Sequence, residues 1–401
     1  EINGELALAA VKFGNNLLAE NNRFEMELTA DEMAGLPSDV QELAREKARE
    51  RGKKKDTGIF TLHKPSLIPF LTYSSDRGLR ERIYKAYLNR GNNGDEYDNK
   101  QLINDFIRLR TEKAHLLGYP SYAAYVVDDE MAGTTDAVYE LLEGVWTPAL
   151  ERAKGELSEL EELFRKDVPE GEFASWDWWY YAEKLRRQKY SLDEAETLFH
   201  EFGHALHFLF HDVKYRGLSE VEGDFVELPS QLMENWAFDP EVLRQYAVHY
   251  RTGDVIPQAM IDKIRRSELF NQGFMTTEQT AAALSDMDIH SVREYEPFDP
   301  VAFERQALTE KRGLIPQIEP RYRYPYFSHI FDGGYSAGYY FYTWAEVLDK
   351  DAFEAFRESG DLFDRRIAAD FRRKVLARGG EQDGMSLYRA FRGKDPDKRA
   401  M

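Results

Sequence analysis

The residues with the clearest capacity for chemistry are Phe199-His200-Glu201-Phe202-Gly203-His204-Ala205-Leu206-His207, which contain H-E-x-x-H within a run of helical apolar spacing. On a helix, the i, i+4 spacing puts both imidazoles on one face, where they can hold a single Zn²⁺. Glu201 then stands beside them as a base for an attacking water. A motif this short matches by chance in about one per cent of chains of this length, so its surroundings decide.

Zinc catalysis needs a third protein ligand and one open position. The pattern H-E-x-x-H-x-x-G-x-x-H is excluded, because His207 stands where it needs glycine and Phe210 where it needs histidine. The other common donor is a glutamate on a following helix. The segment Asp224-Phe225-Val226-Glu227-Leu228-Pro229-Ser230-Gln231-Leu232-Met233-Glu234-Asn235-Trp236 provides one. Pro229 suits a first helical turn, and Glu227, Gln231 and Glu234 share a face at i, i+4, i+7. Glu227 is therefore read as the third ligand. Gln231 and Glu234 are candidates to orient a ligand histidine, against the plainer reading of a solvated acidic face.

These two segments resemble the M3 family of zinc oligopeptidases, the thimet oligopeptidase and peptidyl-dipeptidase group. A third block, Tyr326 to Trp344, carries Gly333-Gly334-Tyr335-Ser336-Ala337-Gly338-Tyr339-Tyr340 and is most similar to the bacterial peptidyl-dipeptidase (dipeptidyl carboxypeptidase) branch. "TLHKPSLIPFLTYS", from Thr61, extends the likeness toward the N-terminus. The resemblance implies one zinc on His200, His204 and Glu227, with Glu201 as base. It also implies Tyr335, Tyr339 and Tyr342 at the transition state and His329 as a substrate contact. The implied fold is a mainly α, zincin-type metallopeptidase with two helical lobes flanking a substrate cleft and very little β. Residues 1–190 would form a helical lobe and 191–401 the zinc-binding catalytic lobe.

The tyrosines also have a reading of their own. At i, i+4, i+7, Tyr335, Tyr339 and Tyr342 would share one side of a helix starting after a Gly-Gly turn, and neutral phenols are good donors to an oxyanion. An aromatic stripe packed in the core is the alternative. His207 and His211 lie on the ligand helix with no role in the pattern and are read as structural. His63, His115, His249 and His290 have no context that lifts them further.

Composition sets the class. The 401 residues include 53 Lys+Arg against 72 Asp+Glu, a net charge of −19, which disfavours nucleic acid and acidic membrane surfaces. There is no cysteine, so a metal site must use N and O donors and no disulfide framework is available. No apolar run approaches the roughly 20 residues of a membrane helix. Short peptides are the expected partners, the expected state is a monomer, and the expected compartment is the cytoplasm, with the periplasm as the alternative. No secretory signal opens the sequence, but it starts at Glu1 rather than methionine, as in a processed or excised piece.

Along the chain, helical periodicity dominates. It runs from Leu6 to Leu18, after a Ser38/Gln41 capping box to about Arg51, through Thr134 to Phe164, and in closing helices at Phe363–Leu376 and Ser386–Phe391. Trp176, Trp178, Trp179, Tyr180 and Tyr181 form an aromatic cluster expected to pack in a core or to wall a peptide groove. Strand signals are confined to Ile59–His63 and Ala124–Val127. Ser191 and Glu194 fit a capping box for the zinc helix. Against the family pattern, a block of small-domain size is missing at about Leu192–Ala195, together with the N-terminal region. That block would include the strand on which such enzymes hold substrate by main-chain hydrogen bonds.

The expected activity is Glu-assisted, zinc-dependent hydrolysis that releases C-terminal dipeptides, with Arg321 or Arg323 as a candidate for holding the free carboxylate. The rival is a zinc-binding helical remnant or trimmed piece that binds peptides with little or no turnover.

Overall fold

The computed structural model describes residues 1–54, 56–189, 196–249 and 251–397. The chain begins with α1 (Ile2–Arg23), β1 (Met26–Thr29), α2 (Ser38–Glu50), β2 (Thr57–Phe60), α3 (Lys64–Tyr73), α4 (Arg77–Leu88), α5 (Lys100–Leu116) and α6 (Tyr122–Val127). It continues with α7 (Thr135–Asp167), α8 (Trp178–Lys189), α9 (Glu196–Phe210), α10 (Gly223–Val226), α11 (Leu228–Ala237), α12 (Pro240–Tyr246) and α13 (Gln258–Glu268). The last helices are α14 (Gln272–His290), α15 (Pro300–Arg305), α16 (Ser328–Phe331), α17 (Phe341–Ser359), α18 (Arg365–Phe371) and α19 (Gly384–Arg392). The fold is mainly α. No helix among the described residues is long and apolar enough to cross a membrane.

Two compact units are present, each assembled from three segments of the chain. One comprises Glu1–Tyr122, Val145–Lys189 and Asn271–Ser336; the other comprises Ala123–Gly144, Tyr190–Phe270 and Ala337–Met401.

In the first unit, β1 and β2 pair antiparallel, with Met26 opposite Phe60 and Leu28 opposite Gly58. Gly58 is needed here, since a Cβ would come within 2.4 Å of the Met33 sulfur. Met26, Leu28, Phe60, Phe70 and Ile83 form the core that this ribbon closes. The aromatic cluster divides: Trp178 is fully buried and stacks on Phe274 at 4.6 Å, whereas Trp179 lines a cleft with Lys64, Phe274, Glu278 and Arg321. Ala124–Val127, read as a strand window, lies instead in α6, where Ala123 and Val127 are buried at i, i+4. A short apolar run gives no periodicity that separates the two structures. Ser38 begins α2 without capping it; Pro37 is the cap residue, and Gln41 reaches back to the Leu36 carbonyl. The Ser191/Glu194 capping box and the segment Leu192–Ala195 lie outside the described residues.

The second unit is organised by α9, α11 and α17. Its core is Phe225, Leu228, Leu232, Trp236, Leu348, Phe353, Phe371 and Tyr388. Gly203 explains how closely α9 meets α11: a Cβ there would lie 2.4 Å from the Pro229 carbonyl oxygen. Gly223 and Gly338 both leave room for the Phe341 ring, which a Cβ on either would strike at 2.1 and 2.7 Å.

Candidate metal centre

The packing of α9 on α11 sets three donors around one point. The available ligand atoms of His200, His204 and Glu227 all lie within 4.8 Å of one another. Glu227 Oε2 is 3.3 Å from His204 Nε2 and 3.7 Å from His200 Nε2. Tetrahedral coordination with metal–ligand bonds of about 2.0–2.1 Å separates its donors by about 3.4 Å. The two N donors and one O donor are thus spaced and typed for a divalent metal of the zinc class, and both imidazoles are partly exposed.

Glu227 is the cap residue where α10 gives way to α11, with Pro229 in the first turn of α11. It is 3% exposed. Burial pushes its carboxyl up, but hydrogen bonds from His204 and Ser230 and the nearby imidazoles outweigh this and hold it below the ordinary glutamate value. The Ser230 hydroxyl donates to Glu227 Oε2 at 3.0 Å, a contact the sequence reading missed; the i, i+3 spacing from the ligand was its only signal. The approach to Glu227 is pinned by Asp224, which is fully buried. Asp224 accepts from the Met131 and Ala132 amides at 3.0 Å each and from the Tyr340 hydroxyl at 3.2 Å.

Glu234 does touch one of the two clustered histidines. Its Oε1 lies 2.6 Å from His200 Nδ1, and this bond holds the His200 pKa above the ordinary imidazole value despite burial. With Nδ1 so engaged, Nε2 carries the lone pair toward Glu227, the arrangement by which an outer carboxylate fixes a ligand's tautomer. Gln231, its companion on the helix face, instead donates to the Tyr342 carbonyl at 3.3 Å and ties α11 to α17. Replacing Glu234 with alanine is expected to weaken metal affinity about 10–100-fold while leaving the fold intact. Competition against a chromogenic chelator measures this, and an unchanged affinity would remove Glu234 from the site.

Glu201 follows His200 on α9 with an exposed side chain, where water can reach it. The tyrosines do not form a single helical stripe. Gly334 and Ala337 have φ of +88° and +55°, so helix α17 begins only at Phe341 and Tyr335 and Tyr339 precede it. Left-handed residues cannot be read from helical spacing alone. Within the second unit, the Tyr339 and Tyr342 rings lie 5.3 Å apart, Tyr339 being 3% exposed. In the first unit, His329 on α16 and Tyr335 have ring centroids 6.1 Å apart. Of the two candidate arginines there, Arg323 is committed to Glu304, at 2.7 Å, while Arg321 lies 3.1 Å from Glu278 at the cleft.

His207 lies further along α9, and His211 follows its last residue. Burial pushes His207 down to about 4 and lowers His211 as well, so both imidazoles are neutral near pH 7.

Several known proteins are similar to this chain. The sequence profile of peptidase family M3 matches residues 70–196 and 191–401. The dipeptidyl carboxypeptidase of Escherichia coli is 31% identical, over 98% of this chain and 75% of its own length. Oligopeptidase A of Escherichia coli is 28% identical, over the whole of this chain and 76% of its own length. Among solved structures, the fold is similar to oligoendopeptidase F from Enterococcus faecium, with a TM-score of 0.56 at 14% identity over 97% of this chain and 67% of that one.

Proposed function

Since the chain belongs to peptidase family M3 and is a metallopeptidase, we propose that its metal is zinc, held by His200, His204 and Glu227, and that it releases dipeptides from the C-terminus of short peptides. The observation that carries the reading is the donor triangle, two imidazole nitrogens and a buried carboxylate at tetrahedral spacing, beside an exposed glutamate. When bound, the metal supplies the Lewis acidity that polarises the scissile carbonyl and acidifies a water. Glu201 takes the proton from the attacking water and delivers it to the leaving amine. The phenols of Tyr339 and Tyr342 donate to the oxyanion. Glu234 holds His200 in the tautomer that presents Nε2. For Tyr335 and His329, a role in substrate contact rests on the family motif they occupy.

Dipeptide release is favoured by the 31% identity to a dipeptidyl carboxypeptidase, with oligopeptidase A close behind at 28%. Mass spectrometry of products from unstructured peptides, with free or amidated C-termini, separates the two. Loss of C-terminal dipeptides that amidation blocks is the expected result; internal cleavage regardless of amidation would overturn it.

One observation favours the second reading, a metal-holding chain with little turnover. The alignment with the dipeptidyl carboxypeptidase is 512 positions long against a chain of 401 residues, so at least 111 positions have no counterpart here. The family profile also matches in two segments, 70–196 and 191–401, that overlap shortly before the candidate ligand histidines. That reading predicts bound zinc and no products.

A further inference from the structure

Helix α9 carries one histidine pair, and a second begins in its last turn, with His207 inside the helix and His211 one residue past its end. His207 and His211 repeat the i, i+4 spacing of His200 and His204 seven residues further on, and seven residues return a helix to within about 20° of the same face. The two pairs have nearly the same internal geometry. Ring centroids are 5.0 Å apart with planes at 84° for His200 and His204, and 4.7 Å apart with planes at 74° for His207 and His211. His207 is 5% exposed. The Nε2 atoms of both His207 and His211 are buried, and among the described residues neither has a hydrogen-bond partner. A buried polar nitrogen with no partner is costly, and folded proteins leave few of them. Two of them, from rings in contact, offer one lone pair each when the ring proton sits on Nδ1.

We propose that His207 and His211 form a second metal site at the C-terminal end of α9, distinct from the His200, His204 and Glu227 centre, that takes a divalent transition-metal ion. A pure imidazole donor pair suits zinc, nickel or copper and does not suit magnesium or calcium, which want oxygen. The site lies about 10 Å along the helix axis from the first, at a rise of 1.5 Å per residue. With two imidazole ligands and no carboxylate, it binds more weakly than the three-ligand centre. An ion there ties His211 to the last turn of the helix that also presents the first site, so its occupancy stiffens the C-terminal end of α9.

The test is metal stoichiometry on the full chain. Metal-free protein is equilibrated with buffered Zn²⁺ and analysed by plasma mass spectrometry, and a parallel sample is titrated with Cu²⁺ and read by electron paramagnetic resonance. Wild type is expected to take up two equivalents and to give two copper signals with nitrogen hyperfine structure. His211→Ala should lose the weaker equivalent and one signal while keeping the tighter, and His204→Ala should do the reverse. If His211→Ala unfolds, His211→Gln preserves the volume without the imidazole and takes its place. Saturation of wild type at one equivalent, or a second equivalent that survives in the His211 variant, would overturn the proposal. The count is independent of peptide turnover at the first centre.

Discussion

Glu201→Gln is expected to abolish peptide turnover while leaving the chain fully loaded with metal. The two side chains are nearly isosteric, and Glu201 is not among the three clustered donors, so metal stoichiometry and melting temperature should match wild type. What is lost is the group that accepts the water proton and returns it to the amine. General acid–base contributions of this kind are worth about 10²–10⁴-fold in rate, or about 3–5 kcal/mol of barrier. Because the lost interaction belongs to the transition state, kcat should fall with little change in KM. Steady-state kinetics on a quenched fluorescent peptide measures this. Turnover within a few fold of wild type would assign the base to another residue.

Glu227→Ala has the second large effect, and it acts through the metal. The variant removes the one anionic donor and leaves the Ser230 hydroxyl without its Oε2 acceptor. Losing a ligand should weaken binding by more than the about 10–100-fold expected for the outer carboxylate Glu234. Turnover should vanish at zinc concentrations that saturate wild type. Zinc should also raise the melting temperature less than in wild type, where ligand at about 1,000 times its Kd stabilises by about 4 kcal/mol. Scanning calorimetry with and without zinc gives both curves. An undiminished zinc-induced rise together with full activity would place the metal elsewhere.

The donor set was the most legible part of the chain, because i, i+4 histidines and a glutamate beside a helix-starting proline are local patterns with few alternatives. Glu227, His200 and His204 do converge in the structure. Geometry that depends on packing was not legible. Gly203 reads as a neutral filler in the motif, yet its missing Cβ lets the Pro229 carbonyl approach and so sets where Glu227 sits. The tyrosine block misled for a different reason. Its spacing is helical, but Ala337 at positive φ delays the helix to Phe341, and no rule of periodicity anticipates a left-handed alanine. The ribbon strand Met26–Thr29 escaped notice because four residues with alternating burial carry too little pattern to separate from a helix end. His207 and His211 read as structural in the sequence, because the lack of a partner at their Nε2 atoms among the described residues shows only in the fold.

The most direct test of the account is anomalous scattering at the zinc edge from crystals of the zinc-loaded protein. A peak should lie about 2.0–2.2 Å from His200 Nε2, His204 Nε2 and a Glu227 carboxylate oxygen. A protein that hydrolyses peptides yet shows no anomalous density among those three side chains would contradict it.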